Sequence, residues 1–370
     1  MIASSPADVR TPIAAQQPLP TLRLVFLLLG GLSLLAGLNA ALLLLDLPAP
    51  LTGARLSEMH GELMVFGFLG TVISLERAVA ARRWWAYLAP ATLGLGALSL
   101  LSVLPVAVGQ TLIVVGLAVL NITYVELWQR ARADEVAIQA LGAVLGLGAA
   151  MLLLGGVGFP QTMPWLVGFV ALTIGGERVE LARVGSPDPR LRQAATYLSA
   201  GVALSAGLAL TLPATGVRVF AVLTLALVGV LVTFDVARKT IRMTGLPRFS
   251  AACILTGYFW LALAATTWLW AGPLLEGPGY DLVTHSVFLG FALSMVMGHA
   301  PIIFPAVVRR PIPYHWSMWA AFILLQVSLF ARLVLGDLRE VPWTWQVGGA
   351  LNVAAIVVFL LVTVTRAVKR

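Results

Sequence analysis

Cysteine is nearly missing from this chain. One residue, Cys253, stands among 370. A lone thiol excludes intrachain disulfides and thiolate metal clusters. It also excludes a covalently attached c-type haem, which needs two cysteines in C-x-x-C-H. Charge is scarce too, at 11% of residues against roughly 25% in an average soluble domain. Histidine occurs four times. What fills the space is apolar: 59% of residues are hydrophobic and the mean hydropathy is +0.94. That composition excludes a soluble globular domain. The apolar stretches are continuous and about 20 residues long, the length of a membrane-crossing helix rather than of an alternating barrel strand.

Twelve such stretches can be read, near 21–46, 56–79, 86–105, 107–129, 135–156, 161–181, 193–213, 216–237, 249–272, 280–306, 315–336 and 343–365. The expected fold class is therefore all-α: a polytopic membrane protein with one transmembrane domain over 21–366. It is flanked by a cytoplasmic segment 1–20 and a tail 367–370. The first apolar run is too long for a signal-peptide core, so it reads as a retained helix. Twenty of the 24 basic residues fall in the N-terminal segment, in the connections after even-numbered spans and in the tail. Arg77, Arg82, Arg83, Arg178, Arg238, Arg309 and Arg310 are among them, while Arg55, Arg218, Arg332 and Arg339 lie on the other side. By the positive-inside rule both ends are cytoplasmic, as in a bacterial-type inner membrane. The net charge of +8 then reflects topology and points to no nucleic-acid partner. The partner it does imply is the lipid bilayer.

In MHGELMVFGF, residues 59–68, His60 and Glu62 interrupt an apolar run. His60 opens span 2, and His285 lies early in span 10. Both spans run from outside to inside, so the two imidazoles are expected at similar depth in the outer half of the bilayer. Two imidazoles facing one another are what a bis-histidine haem requires. The competing reading is two interfacial histidines bonded to carbonyls or water. Glu62 is about 200° around the helix from His60 and is expected at the headgroups or beside Arg55. His299 lies 14 residues beyond His285, roughly 21 Å deeper. Span 2 has Ser74 at the matching step, so a second bis-histidine site is not expected. His315 reads as interfacial. Met64, Met295 and Met297 raise copper as a soft-metal alternative, but core packing is the commoner role of methionine in apolar helices and is the reading preferred. Trp84, Trp85, Trp268, Trp270, Trp316, Trp343 and Trp345 near span ends read as an aromatic belt.

Spans 2, 6 and 10 share a pattern: GFLGTVISLER from Gly67, GFVALTIGGER from Gly168 and GFALSMVMGHA from Gly290. The copies are 101 and 122 residues apart, which suggests a pseudo-threefold arrangement of four-helix units. The frame equates Glu76, Glu177 and His299 as an inner polar cluster. It reads either as a proton or ion relay or a weak metal site, or as charge-paired helix ends. Asn121, Glu126, Asp235, Arg332 and Asn352 form no recognisable set.

The histidine opening span 2 before MVFGF resembles helix 2 of the haem-copper oxidase subunit I superfamily. HSVFLGFALSMVMGHAPIIFP resembles its helix 10, with His285 and Pro305 in the corresponding relationship. Within that superfamily HGELMVFGF looks most like the NnrS family of haem-containing membrane proteins implicated in the response to nitric oxide. The resemblance implies a haem b held by His60 and His285, used in electron transfer with a redox partner or in a nitric-oxide or redox response. The departures are equally specific. The copper-binding histidines of helices 6 and 7 have no counterpart here, and Val283 stands where the catalytic-haem histidine would be. Gly61 and Glu62 replace the further histidine frequent in NnrS-type sequences. No oxygen-reducing centre is implied, and whether the chain is an enzyme stays open. A haem-free proton or small-solute transporter, or an assembly subunit of a respiratory complex, remain the other readings.

Overall fold

Backbone groups inside a bilayer have no water to bond, so long apolar runs satisfy them internally as helices. The computed structural model describes residues 21–53, 55–182, 188–310 and 312–368, with the side chain of residue 306 excepted. The expected cytoplasmic segment 1–20, Arg183 and the last two residues, Lys369 and Arg370, lie outside the described residues. Twelve longer helices follow one another: α1 Thr21–Leu44, α2 His60–Ala81, α3 Leu88–Ser99, α4 Val106–Ala131, α5 Asp134–Leu154, α6 Phe159–Ala182, α7 Pro189–Thr211, α8 Pro213–Phe234, α9 Leu246–Ala271, α10 Gly277–Pro305, α11 Ser317–Asp337 and α12 Pro342–Val368. No strand occurs among the described residues. Prolines open α7, α8 and α12, where a missing N–H costs nothing. Asp188 caps α7 by accepting from the Arg190 N–H at 2.9 Å.

Ten of these helices are long and apolar enough to cross a membrane. The chain is thus an all-helical, multi-pass membrane protein. The two remaining positions are α3 and α6. With 12 residues, α3 extends only about 18 Å at 1.5 Å per residue. It is flanked by a short 3₁₀ turn over Trp84–Tyr87. α6 has 24 residues but contains Pro164 and ends in a charged stretch with Glu177, Arg178 and Glu180.

Large side chains such as Leu28, Ile122, Leu204, Phe259, Val327 and Leu361 stand exposed on the outer helix faces, where lipid would cover them. The most enclosed of the ten candidate spans are α2 and α10, each 72% buried over its apolar window. They touch each other in their C-terminal halves. α1 and α3 pack on α2, α9 and α11 pack on α10, and α12 closes against α11 and α1. The proposed aromatic belt divides. Trp84, Trp270, Trp316 and Trp343 are exposed, whereas Trp268 is buried edge-on against Phe220, because its side of α9 faces the core.

Three stretches relax from α to π geometry: Leu63–Gly70 in α2, Ser286–Leu293 in α10 and Ala331–Asp337 in α11. Such segments are uncommon and occur preferentially at functional sites. Each begins within three residues of a side chain that faces a single cavity.

Candidate functional site

That cavity has a volume of about 360 Å³ and is lined from α1, α2, α6, α10, α11 and α12. Its volume falls in the range of small-molecule and cofactor sites, roughly 300–1,000 Å³. His60 and His285 both line it. Two residues 225 positions apart in sequence thus meet in one space. The apolar part of the wall is built by Leu38, Met64, Val65, Phe288, Val353 and Ile356.

The two rings are held by the same nitrogen. His60 Nδ1 is 2.9 Å from the carbonyl of Gly37 on α1. His285 Nδ1 is 3.1 Å from the carbonyl of Asp281 and 2.8 Å from the Asp281 carboxylate oxygen Oδ1. A ring whose Nδ1–H donates carries its lone pair on Nε2. Neither Nε2 has a partner among the described residues. This is the state of an imidazole ready to bind a metal, oriented through its other nitrogen.

Asp281 is itself clamped. Arg332 on α11 donates Nη2–H to Oδ1 at 2.8 Å and Nε–H to Oδ2 at 3.0 Å, and Trp345 on α12 donates Nε1–H to Oδ2 at 3.3 Å. The Arg332 guanidinium carbon also lies 5.7 Å from the centre of the Trp345 ring. Close helix packing makes this arrangement fit. A Cβ on Gly348 would meet the Arg332 backbone nitrogen at 2.8 Å, so only glycine lets α12 approach so near. At the cavity Asn352 donates its amide N–H to Ser328 Oγ at 2.6 Å and leaves its buried Oδ1 without a hydrogen-bond partner among the described residues.

The donor set, two imidazoles with free Nε2 atoms beside an apolar wall, is one that a haem iron takes. A non-haem metal cluster does not, since among the described residues no three His, Cys, Asp or Glu side chains converge. Met64 lines the cavity, while Met295 and Met297 are buried packing residues.

Glu62 is not paired with Arg55 and does not project from the protein surface. It is 6% exposed and accepts from Gln110 Nε2 at 3.0 Å, because its face of α2 packs toward α4. Arg55 instead donates to the carbonyls of Ser102 and Leu104.

The inner cluster also assembles. Glu76, Glu177 and His299 line one pocket of about 60 Å³. Arg77 lies 2.6 Å from Glu76, 3.5 Å from Glu177 and 3.7 Å from Glu180, and donates to Gln139 at 2.9 Å. Arg178 holds Asp235 through two bonds of 2.7 and 2.9 Å, and Tyr258 donates to the same carboxylate at 2.8 Å. His299 is saturated. Its Nδ1–H donates to the Met295 carbonyl at 2.7 Å, and its Nε2 accepts from Arg178 Nη1 at 2.9 Å. Both ring nitrogens being engaged, His299 has no lone pair left for a metal. His315 pairs with Ser317 at 2.9 Å.

Sequence reasoning passed over Asp281, Arg332, Trp345 and Asn352 as members of the site. Asp281 did carry a signal: it stands one helical turn before His285 on the same face.

Residues 23–368 match the family described as Domain of unknown function (DUF8744). The chain belongs to that family. No curated protein matches it. The family's description assigns no chemistry.

Proposed function

We propose that this protein is a haem-binding integral membrane protein in which His60 and His285 hold one b-type haem through their Nε2 atoms. The observation that carries the reading is the pairing of two imidazoles in one cavity, each with Nδ1 already bonded to oxygen. Gly37 and Asp281 orient the rings. Leu38, Val65, Phe288 and Ile356 give the rings an apolar wall. Arg332 lines the cavity with its charge balanced by Asp281, so it holds that carboxylate in place against His285. When bound, such a group supplies one-electron chemistry; two histidine ligands suit electron transfer or redox sensing more than gas reduction. The resemblance to NnrS-type sequences directs the reading toward a nitric-oxide or redox response, with a separate redox partner and without an oxygen-reducing binuclear centre.

The same proposal includes twelve spans, α3 and α6 with the ten, both termini in the cytoplasm of a bacterial-type inner membrane, and spans 2, 6 and 10 as equivalent members of a pseudo-threefold bundle. The arginine distribution supports the orientation. The π-helical stretches of α2 and α10 both begin four residues before their Gly-Phe pairs, which supports the equivalence of these two helices.

The test is an absorption spectrum of detergent-purified protein, oxidised and dithionite-reduced, with a pyridine haemochrome assay. A sharp low-spin b-type spectrum near one haem per chain is expected, altered or lost in His60→Ala and His285→Ala. A colourless protein from haem-replete cells would sink the assignment. It would favour the haem-free transporter reading, whose support is the inner pocket between Glu76 and Glu177.

A further inference from the structure

The two histidines do not have equal partners. His60 Nδ1 meets one neutral carbonyl, that of Gly37. His285 Nδ1 meets a carboxylate at 2.8 Å, and the Asp281 carbonyl as well. The carboxylate is not free to turn away, because Arg332 holds both of its oxygens and Trp345 holds one. Arg332 is buried at 7% exposure, and the i, i+4 spacing keeps Asp281 stacked beneath His285 on one helix. A carboxylate accepting from the far nitrogen of a ligating imidazole raises the basicity of the near one and fixes its direction. A carbonyl does so more weakly, since charge-assisted hydrogen bonds are about twice as strong as neutral ones.

We propose that Asp281, locked by Arg332, is a positioning residue that makes the two imidazoles unequal: with a haem bound, His285 would be the stronger ligand and His60 the one that a neutral diatomic molecule would displace. The inference rests on the haem reading and names the sensing half of that site. Such an exchange would be a simple substitution, the bond to His60 Nε2 given up for one to the incoming molecule, with no electron or proton transferred. His60 is suited to leave because it opens α2, with a turn rather than a helix before it. His285 lies inside α10.

The experiment compares wild type, His60→Ala, His285→Ala, Asp281→Asn and Asp281→Glu, with carbon monoxide as the probe. Haem per chain, midpoint potential and the carbon monoxide difference spectrum of the reduced protein are measured for each. His60→Ala keeps its haem within twofold of wild type and binds carbon monoxide at least tenfold more tightly. His285→Ala loses at least nine-tenths of its haem. Asp281→Asn keeps its haem, but its midpoint potential rises by about 59 mV, a tenfold change in the ratio of oxidised to reduced protein for one electron. Asp281→Glu restores most of that shift, which a purely structural role for Asp281 would not produce. Equal behaviour of the two histidine variants, or a wild-type potential in a haem-loaded Asp281→Asn protein, overturns the inference and leaves the haem reading standing. If Asp281→Asn does not fold, the histidine comparison decides alone. Wild type purified without haem from haem-replete cells overturns both.

Discussion

Arg77 lies within reach of more carboxylates than it can neutralise. Glu76 takes the closest approach at 2.6 Å, Glu177 stands at 3.5 Å and Glu180 at 3.7 Å, while Arg178 is occupied by Asp235. Glu177 is 8% exposed, so its charge gains little from solvent. Glu177→Gln removes a weakly paired carboxylate while Arg77 keeps Glu76 and Gln139. The expected result is unchanged or slightly raised thermal stability in detergent, within about 1 kcal/mol. Arg77→Met leaves the buried carboxylates without their cation and should cost about 3–5 kcal/mol. A thermal unfolding series of the two variants checks the contrast, and a larger loss in Glu177→Gln than in Arg77→Met would refute it. At this scale much was legible in the sequence. His60, His285 and the inner trio stand out because ionisable residues are rare in apolar helices. The Asp281–Arg332 clamp was not legible. Its partners are 51 residues apart, and each alone resembles an ordinary charge at a helix end.

Helices α2 and α10 carry the site as a matched pair. Both are enclosed on most sides, both pass from a histidine through a π stretch, and both end in the inner network. The Gly-Phe alignment located the equivalent positions, but the π geometry was hidden. Backbone hydrogen-bond shift is a property of packing, and no residue type announces it. α6 departs from the pair. It stays α-helical over the corresponding stretch, with Pro164 four residues before Gly168, and it brings no histidine to the cavity. Approach between α11 and α12 is the element-scale requirement for the clamp. In Gly348→Leu the added side chain meets Arg332 backbone at 2.8 Å, so the helices must separate and withdraw Trp345 and Arg332 from Asp281. The expected outcome is a stability loss of about 2 kcal/mol, as for other overpacked cores, and a midpoint potential displaced in the same direction as in Asp281→Asn. Gly348→Ala should show the same trend with smaller amplitude. A Gly348→Leu protein with wild-type potential and melting behaviour would show that the helices tolerate the separation.

Orientation in the membrane belongs to the whole molecule. On the proposed topology the arginine bias would put the α2–α3, α4–α5 and α8–α9 connections inside, and the α1–α2, α3–α4 and α9–α10 connections outside. The scarcity of cysteine makes this testable, because Cys253 is fully buried and offers little background to a bulky maleimide. Single cysteines then report sidedness at positions that are already exposed: Leu51, Val103 and Leu275 on the proposed outer side, and Met243 on the inner side. In a Cys253→Ser background, a membrane-impermeant maleimide added to intact cells should label Leu51→Cys, Val103→Cys and Leu275→Cys. Met243→Cys should react only after the membrane is opened. Labelling of Met243→Cys in intact cells together with protection of the other three would invert the topology and place the histidine cavity on the cytoplasmic side. Val103→Cys is the most informative of the set, since it follows α3, a helix of 12 residues. If α3 with its flanking turns completes a crossing, Val103 emerges outside. If α3 only enters and returns, Val103→Cys is protected, every later connection changes side, and Leu275→Cys becomes protected with it.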